Sequence, residues 1–260
     1  MCERYVCIQK VETLEKRFNV TARAGFEFRP SYNISPGKYV PVITNEKPKE
    51  LQLFRFGMTP FQAKKKMNLF NARTEGDRNM ENDEHYTGAR TIITKPEFRK
   101  PVRQQRCLVI ADAFIVGSER FNKPYLVYLR DNVRPFAFAG IWDEWVDEGG
   151  EILFSFAIIT TVCNSLIKKT GANRSPVILS RGKETKWLNS NLPLTDVTSF
   201  LEPYPAELMN AYPIANTIKS TEAEGKHLIE PIGPKIQPES NSETYKPLKM
   251  NEMWPHQRNI

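Results

Sequence analysis

Short runs rich in Val, Ile, Phe and Tyr recur along the chain, and Gly, Pro, Asn and Asp fill most of the gaps between them. The first group of residues fits a pleated, half-buried surface, whereas the second group forms turns. The pattern therefore predicts a fold dominated by short strands. The candidate strands span residues 4–9, 38–44, 51–56, 107–116, 125–130, 136–141 and 152–161.

Helical periodicity is confined to a few segments. Residues 11–18 place Leu14 and Phe18 on one mostly apolar face, as an amphipathic helix requires. Further candidates are residues 182–190 and residues 194–201, the latter running on toward 205–211. Because helices do not alternate with strands, a doubly wound parallel sheet is disfavoured. We expect an α+β fold, a single domain built on a curled, mainly antiparallel sheet or barrel with a few flanking helices.

Two segments differ in composition from the candidate strands. Residues 62–100 are polar and rich in charge, including KKK and EGDRNMENDEH, which is typical of long loops with a short helix. From about Gly233 onward, Pro, Ser, Asn, Glu and Lys dominate. We therefore expect a domain over residues 1–233 and an extended polar tail over residues 234–260.

The chain is basic, with 37 Lys and Arg against 30 Asp and Glu and a formal charge of +7. This balance favours a polyanionic partner, either nucleic acid or an anionic membrane face, although many soluble proteins are equally basic. No apolar run approaches the ~18 residues that a membrane span needs, and the amino-terminal MCERYVCIQK lacks the apolar centre of a signal peptide. We expect a cytoplasmic monomer with reduced thiols and no membrane contact.

The four cysteines are Cys2, Cys7, Cys107 and Cys163. They show no C-x-x-C spacing and no histidine at ligand spacing, so the sequence predicts no metal site. Cys107 and Cys163 lie in apolar stretches and are expected to be core residues.

Cys2 offers chemistry that no other residue type provides. Once Met1 is removed, it carries an α-amine with a pKa of ~7.7–8.0 next to a thiol with a pKa of ~8.5. Such a 1,2-aminothiol reacts with an aldehyde, first forming an imine and then closing a thiazolidine ring. The alternative is that a cysteine at this position is an accident of an exposed terminus.

Ten motifs occur in one order: MCERY, SYNISPG, FRFGMTPF, FNARTE, RCLVIADAF, KPYLVYL, FAFAGIWDEW, FAIITTVCN, NRSPVILS and PIANTIKSTEAEGKHLIEPI. With this series, residues 2–233 resemble the SRAP family of SOS response-associated peptidases, which process abasic sites. The resemblance implies the SRAP fold and a protein that binds single-stranded DNA and traps abasic sites covalently, without a cofactor.

The resemblance also implies roles for single residues. Cys2 would be the nucleophile that links to the ring-opened sugar of the abasic site, and Asn71 would hold this cysteine in place. Further matching positions are the pocket residues Asn33 and Thr160 and the phosphate-binding arginines Arg4, Arg73 and Arg174.

Aromatic and basic residues lie together in FRFGMTPFQAKKK. Phe56 and Phe61 fall within a segment that carries tryptophans in relatives, where apolar rings stack against bases. Lys64, Lys65 and Lys66 follow, as a groove that tracks phosphates requires. The alternatives are that the aromatic rings belong to the core and that the lysines are merely solvated.

Two positions depart from the family pattern. Val116 stands where relatives carry a glutamate, and Ala172 stands where they carry a histidine. These groups serve the family as acid and base, and such assistance is typically worth ~10²–10⁴-fold in rate. We expect slower chemistry here, with Glu75 or Asp112 as candidate replacements for the proton carrier.

Three hypotheses follow for the function. The first is a covalent abasic-site sensor with peptidase or lyase character, and the second is a degenerate relative that only binds single-stranded DNA. The third is a self-processing cysteine peptidase, since family members are regarded as able to remove residue 1 themselves.

Overall fold

Strands outnumber helices in the computed structural model, which describes residues 3–83, 85–118 and 123–239. The strands in these residues are β1 (Arg4–Cys7), β2 (Thr21–Ala22), β3 (Ser31–Ile34), β4 (Tyr39–Thr44), β5 (Glu50–Phe56), β6 (Asn71–Arg73), β7 (Arg106–Ala111), β8 (Ala113–Ser118), β9 (Lys123–Leu129), β10 (Phe136–Val146), β11 (Ile152–Val162), β12 (Arg174–Pro176), β13 (Ile178–Leu179) and β14 (Met209–Pro213). The α-helices are α1 (Val11–Phe18), α2 (Pro101–Gln104), α3 (Ser165–Lys169), α4 (Lys183–Trp187) and α5 (Leu194–Ser199). Single 3-10 turns span Thr91–Ile93, Ala206–Leu208, Asn216–Lys219 and Lys226–Ile229.

Five strands close into a barrel. Strands β11, β10, β7, β4 and β5 pair antiparallel in that order, and β5 also pairs in parallel with β11, which completes the ring. The short strands β6 and β12 extend the barrel on β11. Closure removes the unpaired edges that an open sheet of these strands would expose.

A second sheet packs against the barrel. Its strands run antiparallel in the order β14, β9, β8, β1 and β3. On one face, Tyr5 and Phe114 meet the barrel residue Phe138 with ring centroids 5.8 Å apart in both contacts. The other face packs against Ile218 and Leu228, which lie in the chain segment that follows β14. Because both faces are apolar, β1 and β8 read as nearly continuous hydrophobic runs.

These features confirm the predicted fold class, an α+β domain on a curled, mainly antiparallel sheet that closes into a barrel. Helix α1 has the predicted bounds, with Leu14 fully buried. In the described ranges, no helix has both the length and the apolarity to cross a membrane.

The structure differs from the expected elements at several places, two of which change the topology. The predicted strand 107–116 is two strands that belong to different sheets, because the chain turns at Asp112, whose backbone N–H donates to Val6 at 2.7 Å. The predicted continuation of a helix into residues 205–211 is wrong beyond one 3-10 turn. Strand β14 begins at Met209 and pairs with β9.

The chain after β14 also lies against this second sheet. The N–H groups of Ile232 and Ile236 donate to Pro213 and Ala211 at 2.9 and 2.8 Å. The fully buried Asn210 side chain bonds the backbone of Gln237 in both directions, at 2.9 and 3.1 Å. Residues 232–239 are therefore tied to β14, and the domain boundary at residue 233 stays a prediction.

Candidate functional site

Strand β6 brings two predicted site residues to the barrel edge. Asn71 pairs with Ile158 and Arg73 pairs with Thr160 on the parallel strand β11. Residues two apart in a strand point to the same face, so the amide of Asn71 and the guanidinium of Arg73 share one side of β6. Thr160 lies beside them and is 2% exposed.

Arg174 approaches from the opposite side of β11. It begins strand β12, where it pairs with Val162. Its Nη2 lies 2.8 Å from Oε2 of Glu75 and donates to the carbonyl oxygen of Thr160 at 2.7 Å. The pairing of β6, β11 and β12 thus gathers four residues that the resemblance assigns to the site, namely Asn71, Arg73, Thr160 and Arg174.

Arg174 and Glu75 form a buried ion pair. Burial alone raises the pKa of Glu75, but close contact with Arg174 and its positive charge outweigh burial and lower this pKa below its usual value. Burial lowers the pKa of Arg174, which the contact with Glu75 opposes. An arginine remains protonated across the accessible pH range. Both groups are therefore charged at neutral pH, and Glu75 neutralises Arg174.

Several polar atoms of this group are buried without a hydrogen-bond partner in the part of the chain that the structure describes. They are Oδ1 and Nδ2 of Asn71, Nε of Arg73, and Nε and Nη1 of Arg174. A buried polar group left unpaired costs ~1–3 kcal/mol, so such groups are uncommon in folded proteins. Their concentration on three residues of neighbouring strands marks a place where a polar or anionic ligand would complete the hydrogen bonding.

Arg4 and Asn33 form a second group on β1 and β3. Arg4 Nη1 donates to Asn33 Oδ1 at 3.0 Å, and Nη2 donates to the carbonyl oxygen of Lys219 at 2.5 Å. The Asn33 amide donates to the carbonyl oxygens of Ser220 and Ala223 at 2.8 and 2.9 Å. Both side chains thus hold the loop 219–223 against the sheet. Their predicted contacts with DNA stay predictions.

The two positions at which the resemblance implies an acid and a base are apolar and buried here. Val116 is 3% exposed and follows Ile115, which pairs with Arg4 at the start of β1. Ala172 is 7% exposed and lies two residues before Arg174. The chain therefore offers no side-chain proton carrier at either position.

Asp112, one candidate replacement, is hydrogen-bonded to other groups, and its role as a proton carrier stays a prediction. Its carboxylate accepts hydrogen bonds from the backbone N–H of Ile8 at 2.7 Å and from Nε2 of Gln9 at 2.9 Å. These partners follow the carboxyl end of β1, whereas Val116 lies beside its amino end. Four strand residues span roughly 13 Å, so Asp112 is remote from the start of β1.

Phe56 is a core residue, which corrects the expectation that its ring stacks on DNA bases. It is fully buried, stacks on Phe156 with centroids 5.2 Å apart, and meets Tyr5 edge-on at 5.7 Å. Phe61, in contrast, is 54% exposed, and the ammonium of Lys100 lies 4.5 Å from its ring centroid.

Lys64, Lys65 and Lys66 are exposed on the loop that follows Phe61. The loop is anchored at two points: the backbone N–H of Phe61 donates to Asp143 at 2.9 Å, and the indole of Trp145 donates to the carbonyl oxygen of Ala63 at 2.7 Å. The lysines are thus presented to solvent from a fixed base, and their contact with phosphates stays a prediction.

Cys2, the predicted nucleophile, lies outside the described residues. The other three cysteines are buried. Burial, reinforced by the negative charge of Asp112, raises the pKa of the Cys7 thiol well above its usual range, and burial also raises that of Cys107. Cys7 and Cys107 are therefore protonated and inert at neutral pH.

Sequence reasoning missed the partner of Arg174. The sequence predicts Glu75 only as a candidate proton carrier, because nothing local in FNARTE signals an ion pair with a residue on β12. Within the described ranges, no three His, Cys, Asp or Glu side chains come close enough to hold a metal ion.

Comparison with known proteins shows the family of the chain. The sequence profile of the family "SOS response associated peptidase (SRAP)" matches residues 1–221. The chain belongs to the SRAP family. Among relatives, it is 31% identical over 239 residues to the abasic site processing protein YoqW of Bacillus subtilis, covering 88% of this chain and 99% of YoqW. It is 28% identical over 210 residues to the mouse abasic site processing protein HMCES, covering 63% of this chain and 54% of HMCES.

Solved structures share the SRAP fold. A protein from Bacteroides thetaiotaomicron superposes with a TM-score of 0.74 at 28% identity, covering 88% of this chain and 99% of that protein. A protein from Bordetella bronchiseptica gives a TM-score of 0.64 at 25% identity, covering 82% of this chain and all of that protein.

Proposed function

We propose that this SRAP protein processes abasic sites: it binds single-stranded DNA and links to the abasic sugar through Cys2 after removal of Met1. Its relatives YoqW and HMCES are abasic site processing proteins. The observation in the structure that most supports the proposal is the group of buried, unpartnered polar atoms on Asn71, Arg73 and Arg174.

The atoms and electrons of the covalent step balance with the amine, the thiol and the sugar aldehyde alone. The ring-opened sugar carries an aldehyde at C1′, which the neutral α-amine of Cys2 attacks, and loss of one water leaves an imine. The thiolate of Cys2 adds to the imine carbon while the nitrogen takes up a proton, which closes a five-membered thiazolidine. At pH 7, roughly a tenth of such amines are neutral, so the reaction starts without a strong base.

The neighbouring residues would bind and orient the DNA. Among the described residues, neither the donor nor the acceptor of the Asn71 amide has a partner, which suits a sugar oxygen or the amine of Cys2. Arg73 carries a charge, and arginine binds phosphate through paired N–H donors. The exposed Phe61 and the lysines after it would extend the binding surface along the strand.

A crosslinking assay tests the covalent proposal. Protein whose loss of Met1 is verified by intact mass is mixed with a single-stranded oligonucleotide that carries one abasic site. We expect a complex that survives denaturation and that Cys2→Ala abolishes. Cys7→Ala is the matched control, because Cys7 is a buried and protonated cysteine near the same terminus. An absent complex, or one that persists in Cys2→Ala, contradicts the proposal.

The apolar Val116 and Ala172 favour a second candidate, in which the protein binds single-stranded DNA without reacting. This candidate predicts salt-dependent binding of the abasic oligonucleotide that Cys2→Ala leaves unchanged, together with no covalent product after long incubation. Product that accumulates slowly in the wild type excludes it.

A further inference from the structure

One edge of the Arg73 guanidinium is held by hydrogen bonds, whereas its other N–H groups have no partner among the described residues. Nη2 donates to the carbonyl oxygen of Asn79 at 2.5 Å and to Oδ1 of Asn82 at 3.1 Å. In residues 3–83, 85–118 and 123–239, the buried Nε has no partner and Nη1 has no hydrogen bond, and Arg73 as a whole is half-buried. The free N–H groups therefore point away from the loop that holds Arg73.

That loop, residues 79–83, is closed by its own hydrogen bonds. The Asn79 side chain accepts from the N–H of Asp83 at 2.8 Å and donates to the carbonyl oxygen of Asp83 at 3.0 Å. Asn79 is only 4% exposed. Asn82 adopts a φ of 59°, the left-handed conformation that asparagine tolerates better than most residues. This backbone conformation turns its amide oxygen back toward Arg73.

The two arginines differ in how their charges are balanced. Arg174 is 3% exposed and paired with the carboxylate of Glu75. Both acceptors of Arg73, a backbone carbonyl and an amide oxygen, are uncharged. Arg73 is thus held in place and keeps its full positive charge, which is the combination that an anion-binding arginine requires.

We propose that Asn82 is a positioning residue: with the carbonyl of Asn79, it holds the Nη2 edge of Arg73 so that the charged guanidinium presents Nη1 to a DNA phosphate. The inference rests on the proposed function, because it assumes that single-stranded DNA is the ligand. An acceptor without charge is essential, since a carboxylate at position 82 would hold Arg73 equally well and neutralise it.

Two substitutions separate this role from a structural one. Asn82→Gly keeps the left-handed backbone and removes the acceptor, whereas Asn82→Asp keeps an acceptor and adds a negative charge. Asn132→Gly is the matched control, because Asn132 is exposed, has a φ of 53° and lies on a loop after β9. Affinity for an undamaged single-stranded oligonucleotide is measured by fluorescence anisotropy between 50 and roughly 300 mM salt, a range over which phosphate contacts dominate the salt dependence.

We expect Asn82→Gly to bind about threefold to tenfold more weakly than the wild type, with the slope of log K against log salt smaller by ~0.7, the loss of one phosphate contact. Asn82→Asp should match the wild type in thermal stability and still bind weakly. If Asn82 had only a structural role, Asn82→Asp would instead bind like the wild type, because its wild-type stability would restore binding. Asn132→Gly should bind like the wild type.

A double-mutant cycle tests whether Asn82 acts through Arg73. In an Arg73→Ala background, Asn82→Gly should weaken binding no further. An undiminished effect there, or wild-type affinity and slope in Asn82→Gly, overturns the positioning role and leaves the proposed function standing. A wild-type protein that neither binds the oligonucleotide nor crosslinks to an abasic one overturns both.

Discussion

The structure buries Phe56 and exposes Phe61, and this difference leads to a quantitative prediction. Phe56 is fully buried between Phe156 and Tyr5 in the barrel, so Phe56→Ala removes a whole ring from a packed core. Such truncations cost about 3–5 kcal/mol of unfolding free energy. For a chain of this size, 1 kcal/mol shifts Tm by ~2–4 °C, so Tm should fall by roughly 6–20 °C.

The matched variant is Phe61→Ala, in which the same side chain is removed from a position that is 54% exposed. Its unfolding free energy should stay within about 0.5 kcal/mol of the wild type. If Phe61 stacks on a base, this variant should instead lose about 1–3 kcal/mol of DNA-binding free energy. Urea unfolding gives the stability, and anisotropy with an undamaged oligonucleotide gives the affinity.

The opposite pattern would refute the assignment. If Phe56→Ala kept the wild-type Tm while DNA binding weakened, Phe56 would have to reach the surface, contrary to its contacts. Phe56→Leu provides a milder test. Because it keeps most of the apolar volume, its Tm should lie between those of the wild type and Phe56→Ala.

Three further predictions concern other parts of the protein. Val116→Glu combined with Ala172→His should speed crosslinking by up to ~10²-fold in a single-turnover time course, and unchanged rates would mean that these positions do not limit the reaction. The pKa of Glu75 is lowered in the folded protein, so its ion pair contributes stability above the unfolded pKa of ~4.3 and loses it as pH falls through the folded value. When the pH is lowered from 6 to 3, the unfolding free energy measured with urea should therefore fall more for the wild type than for Glu75→Gln. Parallel plots of unfolding free energy against pH would contradict this. Asn210→Ala removes the buried amide that bonds Gln237, so limited proteolysis should cut residues 232–239 faster, whereas equal rates would show that the backbone contacts suffice.

Local patterns in the sequence were sufficient where neighbours in the chain decide the structure. The apolar spacing of residues 11–18 predicts a helix with the bounds that α1 has. The predicted strand 51–56 agrees with β5 to within one residue. The helix predicted over residues 194–201 corresponds to α5 over Leu194–Ser199. In each case the signal repeats within a few residues, so no distant contact is needed to read it.

Contacts between residues far apart in the chain decide other features of the fold. Residues 107–116 read as one apolar strand, and the break at Asp112 exists because the chain leaves the barrel there to join β1 in the second sheet. Strand β14 was missed because its strand conformation comes from pairing with β9, about 80 residues away, rather than from its own sequence. Phe56 and Phe61 look alike in sequence, and only the closed barrel decides which ring is enclosed.

By itself, the sequence determined the family, the fold class and the residue types of the candidate site, because the ordered motifs contain the groups that the chemistry needs. Only the tertiary structure decided how those groups are balanced. It paired Arg174 with Glu75 and left Arg73 on uncharged acceptors. The physical reason is that charge compensation depends on distances of a few ångströms between residues far apart in the chain, which composition and spacing do not encode.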